Sequence, residues 1–249
     1  MRNMVELYFG DLTPIDVGLA LFTGIAGGIV LAAAYILAES GVDHWKPRKL
    51  VHISMGSIIA FTVHFYTTLS GPAFAAGIFL TILFYAWAHK SDLITDLLVA
   101  GSRENESSLN TFASGFMGMI AFMIAFLVFF QRPTIFVAAI LAVSWGDAAG
   151  EVVGRSLGGT ILSRKYKKKS IEGSLGVWGI SILAIIVAIA LHSSDVCPIC
   201  FLPQIVLIGL AIMLTEVLSI GWTDNFFIPI ITAILVWQFI FPGMPLFIG

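Results

Sequence analysis

Asp147 and Glu151 stand four residues apart in a long apolar run, so on a helix their carboxylates share one face. Gly146, Gly150, Gly154 and Gly158 recur at the same interval beside them, and Arg155 closes the run. Each helical glycine costs about 0.8–1 kcal/mol against alanine, and an aspartate deep in a bilayer about 3 kcal/mol more. Four-residue glycine spacing lets a second backbone approach closely. Two carboxylates with little bulk around them also suit a hard divalent cation whose other ligands are water and phosphate oxygens. An acid inside a membrane span is a functional-site hypothesis by default.

The loop that follows is basic. Arg164-Lys165-Tyr166-Lys167-Lys168-Lys169 leads into Ser170-Ile171-Glu172-Gly173-Ser174 and then another apolar run. Ser170 is placed to cap that helix, whose N–H groups and positive dipole end favour an anion. Gly173 allows close backbone approach. Lys168, Lys169, the Ser170 hydroxyl, Gly173 and Ser174 thus read as a phosphate cradle, with Arg155 beside it. Attraction to anionic lipid headgroups is the plainer alternative. No GxxxxGK[ST] occurs, so the cradle is not a P-loop.

Two further groups are distant in sequence. Arg48, Lys49 and His52 open an early apolar segment, with Arg48 and His52 on one helical face. They read as a cationic contribution to the site or as a positive anchor at a membrane surface. Late in the chain, Glu216 lies in an apolar segment and Asp224-Asn225 opens the next. Glu216 needs a partner, for which Arg48, Lys49 or a metal would serve. Asp224 and Asn225 serve either as helix caps or as ligands.

The elements that must hold these residues are membrane helices. Of 249 residues, 58% are hydrophobic and 11% charged, against about 25% charged in soluble domains. Mean hydropathy is +0.97. Segments of spanning length fall at 17–38, 51–70, 72–89, 111–130, 134–153, 174–191, 203–221 and 226–245. The expected fold is all-α, a polytopic membrane protein of about eight transmembrane helices forming a single integral-membrane domain over 1–249. Seven spans result if Ser70-Gly71-Pro72 does not divide the second from the third. With eight, eleven of the 13 Lys and Arg residues share one side and only Arg2 and Arg132 lie on the other. The positive-inside rule assigns the eleven to the cytoplasm, together with every group named above. The N-terminus shows neither a signal-peptide nor a transit pattern. A prokaryotic plasma membrane or the endoplasmic reticulum fits equally. Cys197 and Cys200 form a C-P-I-C loop on the opposite side, a redox pair or half a metal site by spacing, or simply a small loop.

The ordered set of motifs resembles the polyprenol kinase family, which includes dolichol, phytol and farnesol kinases. The resemblance rests on R-K-x-x-H (Arg48, Lys49, His52), on G-D with a later G-[RK] (Gly146, Asp147, Gly154, Arg155), on K-[ST]-x-E-G-[ST] (Lys169 to Ser174), and on an acid followed by D-N-x-x-x-P (Glu216, Asp224, Asn225, Pro229). It implies transfer of a phosphoryl group from a nucleoside triphosphate, typically CTP, with Mg²⁺ or a similar cation, to an isoprenoid alcohol in the bilayer. Nucleic acid is not among the expected partners. The P-G-H-G-G-x-x-D-R signature of phosphatidate cytidylyltransferases is absent. A CDP-lipid synthase and a diacylglycerol kinase are alternatives; a transporter fits less well, because the charges gather at one face and no internal repeat is evident.

On this reading Asp147, Glu172, and Glu151 or Asp224 engage the metal–phosphate complex. Arg155, Lys168, Lys169 and Ser170 hold the triphosphate, and Arg48 and Lys49 complete the cradle. Asp147 or His52 accepts the alcohol proton; both remain open. The glycine-rich face, with the apolar spans, is expected to hold the prenyl tail.

Overall fold

The computed structural model describes residues 10–43, 45–89, 108–157, 161–163, 169–220 and 223–244. Among these, eight helices of 17 residues or more overlap the eight apolar segments. The chain packs as two compact units, Met1–Phe112 with Phe130–Pro133, and Ala113–Phe129 with Thr134–Gly249.

In the first unit α1 (Pro14–Glu39) packs against both α2 (Trp45–Thr62) and α3 (Ser70–His89). The sequence expected one span to reach residue 70. Instead α2 stops at Thr62, a 3-10 turn covers Val63–Phe65, and α3 begins at Ser70. Pro72 falls in the first turn of α3, where its missing N–H is tolerated, so Ser70-Gly71-Pro72 opens a helix. Thr13 caps α1 in a reciprocal capping box with Asp16, and Pro14 sits in the first turn. Asp16 is fully buried. Three backbone N–H groups and three hydroxyls, all from Thr13, Thr67 and Thr68, donate to its carboxylate at 2.8–3.3 Å. One acid therefore fastens the start of α1 to the α2–α3 connection.

The second unit is built on α5 (Pro133–Ser156). It follows α4 (Ser108–Val128), whose residues from Ala113 onward belong here. Every residue from Thr134 to Ser144 is buried, as expected of a helix apolar all round. After α5 come two short antiparallel strands, β1 (Ile161–Ser163) and β2 (Lys169–Ser170), pairing Ile161 with Ser170 and Ser163 with Lys169. The sequence had suggested only a loop there. Then follow α6 (Ile171–His192), a 3-10 turn over Pro198–Phe201, α7 (Leu202–Leu218) and α8 (Asp224–Ile240). α6 packs on α7, and α7 on α8.

The glycine ladder has a structural occupant. A Cβ on Gly146 would meet Ser181 Oγ at 2.9 Å, one on Gly150 would meet Val177 Cγ2 at 2.6 Å, and one on Gly154 would meet Ser170 Oγ at 2.8 Å. At the far end the Thr134 and Ser193 hydroxyls share a 2.5 Å hydrogen bond. A Cβ on Gly154 would also stand 3.5 Å from Gly173 Cα, so the pairs Gly146–Ser181, Gly150–Val177 and Gly154–Gly173 step by four along both helices, the register of a tight antiparallel pair. The expectation that this face holds a prenyl tail is corrected: α6 fills it.

Pro14–Glu39, Pro133–Ser156, Ile171–His192 and Pro198–Leu218 are long and apolar enough to cross a membrane. Leu21, Phe22, Ile25 and Ile29 project outward from α1, as lipid-facing side chains do. These are the features of an all-α membrane protein.

Candidate functional site

Lys169 ends β2 at the mouth of α6. Its ammonium donates to both the side-chain Oε1 and the backbone carbonyl of Glu216, near the end of α7. The Lys169 and Glu216 side chains are 19% and 12% exposed, so water screens the pair only in part. Asp147 on α5 and Asp224 at the start of α8 are both buried, and both lie within electrostatic range of Glu216. Four elements thus bring three carboxylates and one ammonium into one electrostatic neighbourhood.

The sequence sought a partner for Glu216 in Arg48, Lys49 or a metal, and gave Lys169 to a phosphate. The structure joins Lys169 to Glu216. The cause is the antiparallel course of α6 and α7, which also brings the Trp178 indole N–H to the Val206 carbonyl at 3.1 Å.

Ser170 is the N-cap of α6, its hydroxyl accepting from the Gly173 N–H at 3.0 Å. The Ser174 hydroxyl donates back to the Ser170 carbonyl at 3.0 Å. Gly173 is essential to the approach of α5, since a Cβ there would stand 2.6 Å from the Gly150 carbonyl oxygen. Glu172 occupies the first turn of α6, where the helix dipole favours an acid. Lys168 lies outside the described residues.

Of the expected metal set Asp147, Glu151, Glu172 and Asp224, Glu151 is already engaged by a cation. Arg155, one turn on, binds Glu151 through Nη2 at 2.9 Å and Nε at 3.0 Å. Arg155 is half exposed, and such pairs on one helix contribute about 0.3–0.5 kcal/mol. Among the described residues no three His, Cys, Asp or Glu side chains form a group that could hold a metal ion.

Asp224 is not a side-chain cap of the usual kind. It sits inside the first turn of α8, buried, with its carboxylate accepting from the Asn225 N–H at 2.9 Å. Asn225 Nδ2 donates to Ser114 Oγ on α4 at 2.6 Å. Ser114 had no marker in the sequence beyond being one more serine near a helix start.

Arg48, Lys49 and His52 belong to the first unit. Arg48 and Lys49 are 8% and 3% exposed. A surface anchor would extend its charges into water, so burial of both disfavours that reading. Comparison of the chain with protein-family models, characterised proteins and solved structures finds no match in any of the three.

Proposed function

We propose that the protein is a membrane-embedded kinase that transfers the γ-phosphoryl group of a nucleoside triphosphate, by resemblance CTP, to an isoprenoid alcohol. The supporting observation is the meeting of Asp147, Glu216 and Asp224 with Lys169 beside the Ser170-capped start of α6. Phosphoryl transfer asks a protein mainly for position and charge, and this group supplies buried charges of both signs on rigid elements.

The nucleotide phosphates approach the α6 N-terminus, where Lys169 exchanges its Glu216 contact for phosphate oxygens. A Mg²⁺ carried in on the nucleotide needs only one or two protein carboxylates, and it would neutralise charge on the transferred group. Asp147 and Asp224 are the acids that would hold it. The alcohol oxygen forms a bond to the γ-phosphorus as the bond to the β-phosphate oxygen breaks. The nucleoside diphosphate departs, and the alcohol proton passes to Asp147. The acceptor's tail lies along apolar helix faces other than the glycine ladder. On this proposal eight helices span the bilayer and the site faces the cytoplasm.

Product analysis tests the reading. Purified protein in detergent receives Mg²⁺, CTP or ATP, and a panel of farnesol, geranylgeraniol, phytol, a long dolichol and diacylglycerol. A nucleoside diphosphate released together with an isoprenoid phosphate is the expected result. Phosphatidate would shift the substrate to diacylglycerol. Pyrophosphate with a CDP-lipid, on supplying phosphatidate, would replace the kinase by a CDP-lipid synthase.

A further inference from the structure

Cys197 and Cys200 are the chain's only cysteines. Both thiols are free and exposed, in the connection between α6 and α7. Cys197 leads directly into the 3-10 turn Pro198–Phe201, and the Cys200 N–H donates to the Cys197 carbonyl at 3.1 Å. A turn closed in this way holds its first and fourth Cα atoms within about 7 Å, and disulfides span Cα separations of about 4.4–6.8 Å. The two sulfurs can therefore join with little movement of the backbone. Pro198 fixes its own φ and keeps the turn short of a longer, looser loop.

We propose that the C-P-I-C turn is a thiol–disulfide exchange site, cycling between a dithiol and an intramolecular disulfide. It is separate from the phosphoryl-transfer reading. α6 has 22 residues, a length of about 33 Å, with Lys169 and Ser170 just before one end and the thiols beyond the other. Two features favour exchange over a structural crosslink. The loop that a Cys197–Cys200 bond closes is very short, so the bond constrains the unfolded chain little. Both sulfurs are open to a partner, as labile disulfides are. The intervening Ile199 is 81% exposed and offers an apolar contact beside the sulfurs.

The neighbouring Cys200 thiol holds the Cys197 thiol below its usual range, and Cys197, at the mouth of the turn, is assigned as the attacking sulfur. Its thiolate attacks one sulfur of a disulfide-bonded partner and releases the other as a thiolate. Cys200 then loses its proton and attacks the Cys197 sulfur of the mixed disulfide, releasing the second partner thiol. Two thiols of this chain are oxidised and one partner disulfide is reduced.

The test equilibrates full-length protein in detergent with glutathione and glutathione disulfide at a series of ratios. Acid quenching and maleimide labelling then count free thiols by intact mass. The expected result is a reversible passage from two adducts to none, as a single two-electron step without crosslinked dimers. Cys200→Ser should accumulate one glutathione adduct, and Cys197→Ser should do so more slowly. Both positions are exposed, and size exclusion checks that each variant remains folded. Retention of two adducts at every ratio, or oxidation only between chains, would overturn the proposal. So would a disulfide that glutathione cannot reduce without unfolding, because that bond would be structural.

Discussion

Lys169 binds Glu216 through both its carboxylate and its backbone carbonyl. The bond ties the start of α6 to the end of α7, 47 residues further along the chain. It also sets the ammonium next to the acids that the proposed reaction uses.

The pair should be coupled energetically. Fully buried pairs lose about 3–5 kcal/mol when one partner is removed, and surface pairs about 0–1. With both side chains mostly covered, Lys169→Met and Glu216→Gln should each cost an intermediate amount, roughly 1–3 kcal/mol. The double variant should cost less than the two together. Thermal unfolding in detergent measures the cycle, and simple additivity would mean that the contact contributes nothing.

The α5–α6 seam should be intolerant of one added methyl. Gly173→Ala pushes a Cβ against the Gly150 carbonyl, and overpacking of this kind costs about 1–3 kcal/mol. Gly179, on the same helix, has nothing within 4 Å of the place a Cβ would take, so Gly179→Ala should be neutral or stabilising by up to about 1 kcal/mol. A comparison of the two melting temperatures decides, with equal effects arguing against the seam.

Ser170 has two separable roles. Ser170→Ala removes the α6 cap and should cost about 1 kcal/mol of stability. Ser170→Asp keeps a capping oxygen and should restore that stability. It also places a carboxylate where phosphate is proposed to bind, so the nucleotide KM should rise about tenfold or more, equivalent to ~1.4 kcal/mol. If Ser170→Asp left KM unchanged, the phosphate would have to bind elsewhere.

Asp16 should matter for stability and not for chemistry. Asp16→Ala strands several buried donors around one missing carboxylate. Hydrogen bonds to charged groups contribute about 1.5–3 kcal/mol, so a loss of roughly 3 kcal/mol is expected, with kcat of the surviving folded fraction unchanged. A specific fall in kcat would give Asp16 a part in the reaction.

The eight helices were legible because each is a long apolar run closed by polar or turn residues. The end of α2 was not, since Val63, Phe65 and Tyr66 carry apolar bulk past Thr62, and the bonds of Thr67 and Thr68 to Asp16, which hold the connection, are long-range. The Ser170 cap was legible from Ser-x-x-Gly at the start of an apolar run. The ladder at Gly146, Gly150 and Gly154 was legible as a pattern, but its occupant was not. That required matching it to Ser170, Gly173, Val177 and Ser181, which recur at similar intervals on α6. The link between Lys169 and Glu216 depends on the register of two helices, a long-range relation that spacing does not encode. Asp16 did have a local sign, the capping box Thr13-Pro14-Ile15-Asp16, although nothing local announces its bonds to Thr67 and Thr68.

The most direct test compares label transfer from γ-labelled CTP to isoprenoid alcohols by the wild-type protein and by Asp147→Asn, both folded, with Mg²⁺ and with chelator. The account expects labelled isoprenoid phosphate from the wild type, its loss on chelation, and a fall of well over tenfold, more than ~1.4 kcal/mol, in the variant. Turnover of Asp147→Asn within tenfold of wild type, or no labelled lipid from the wild type with any acceptor, would contradict it.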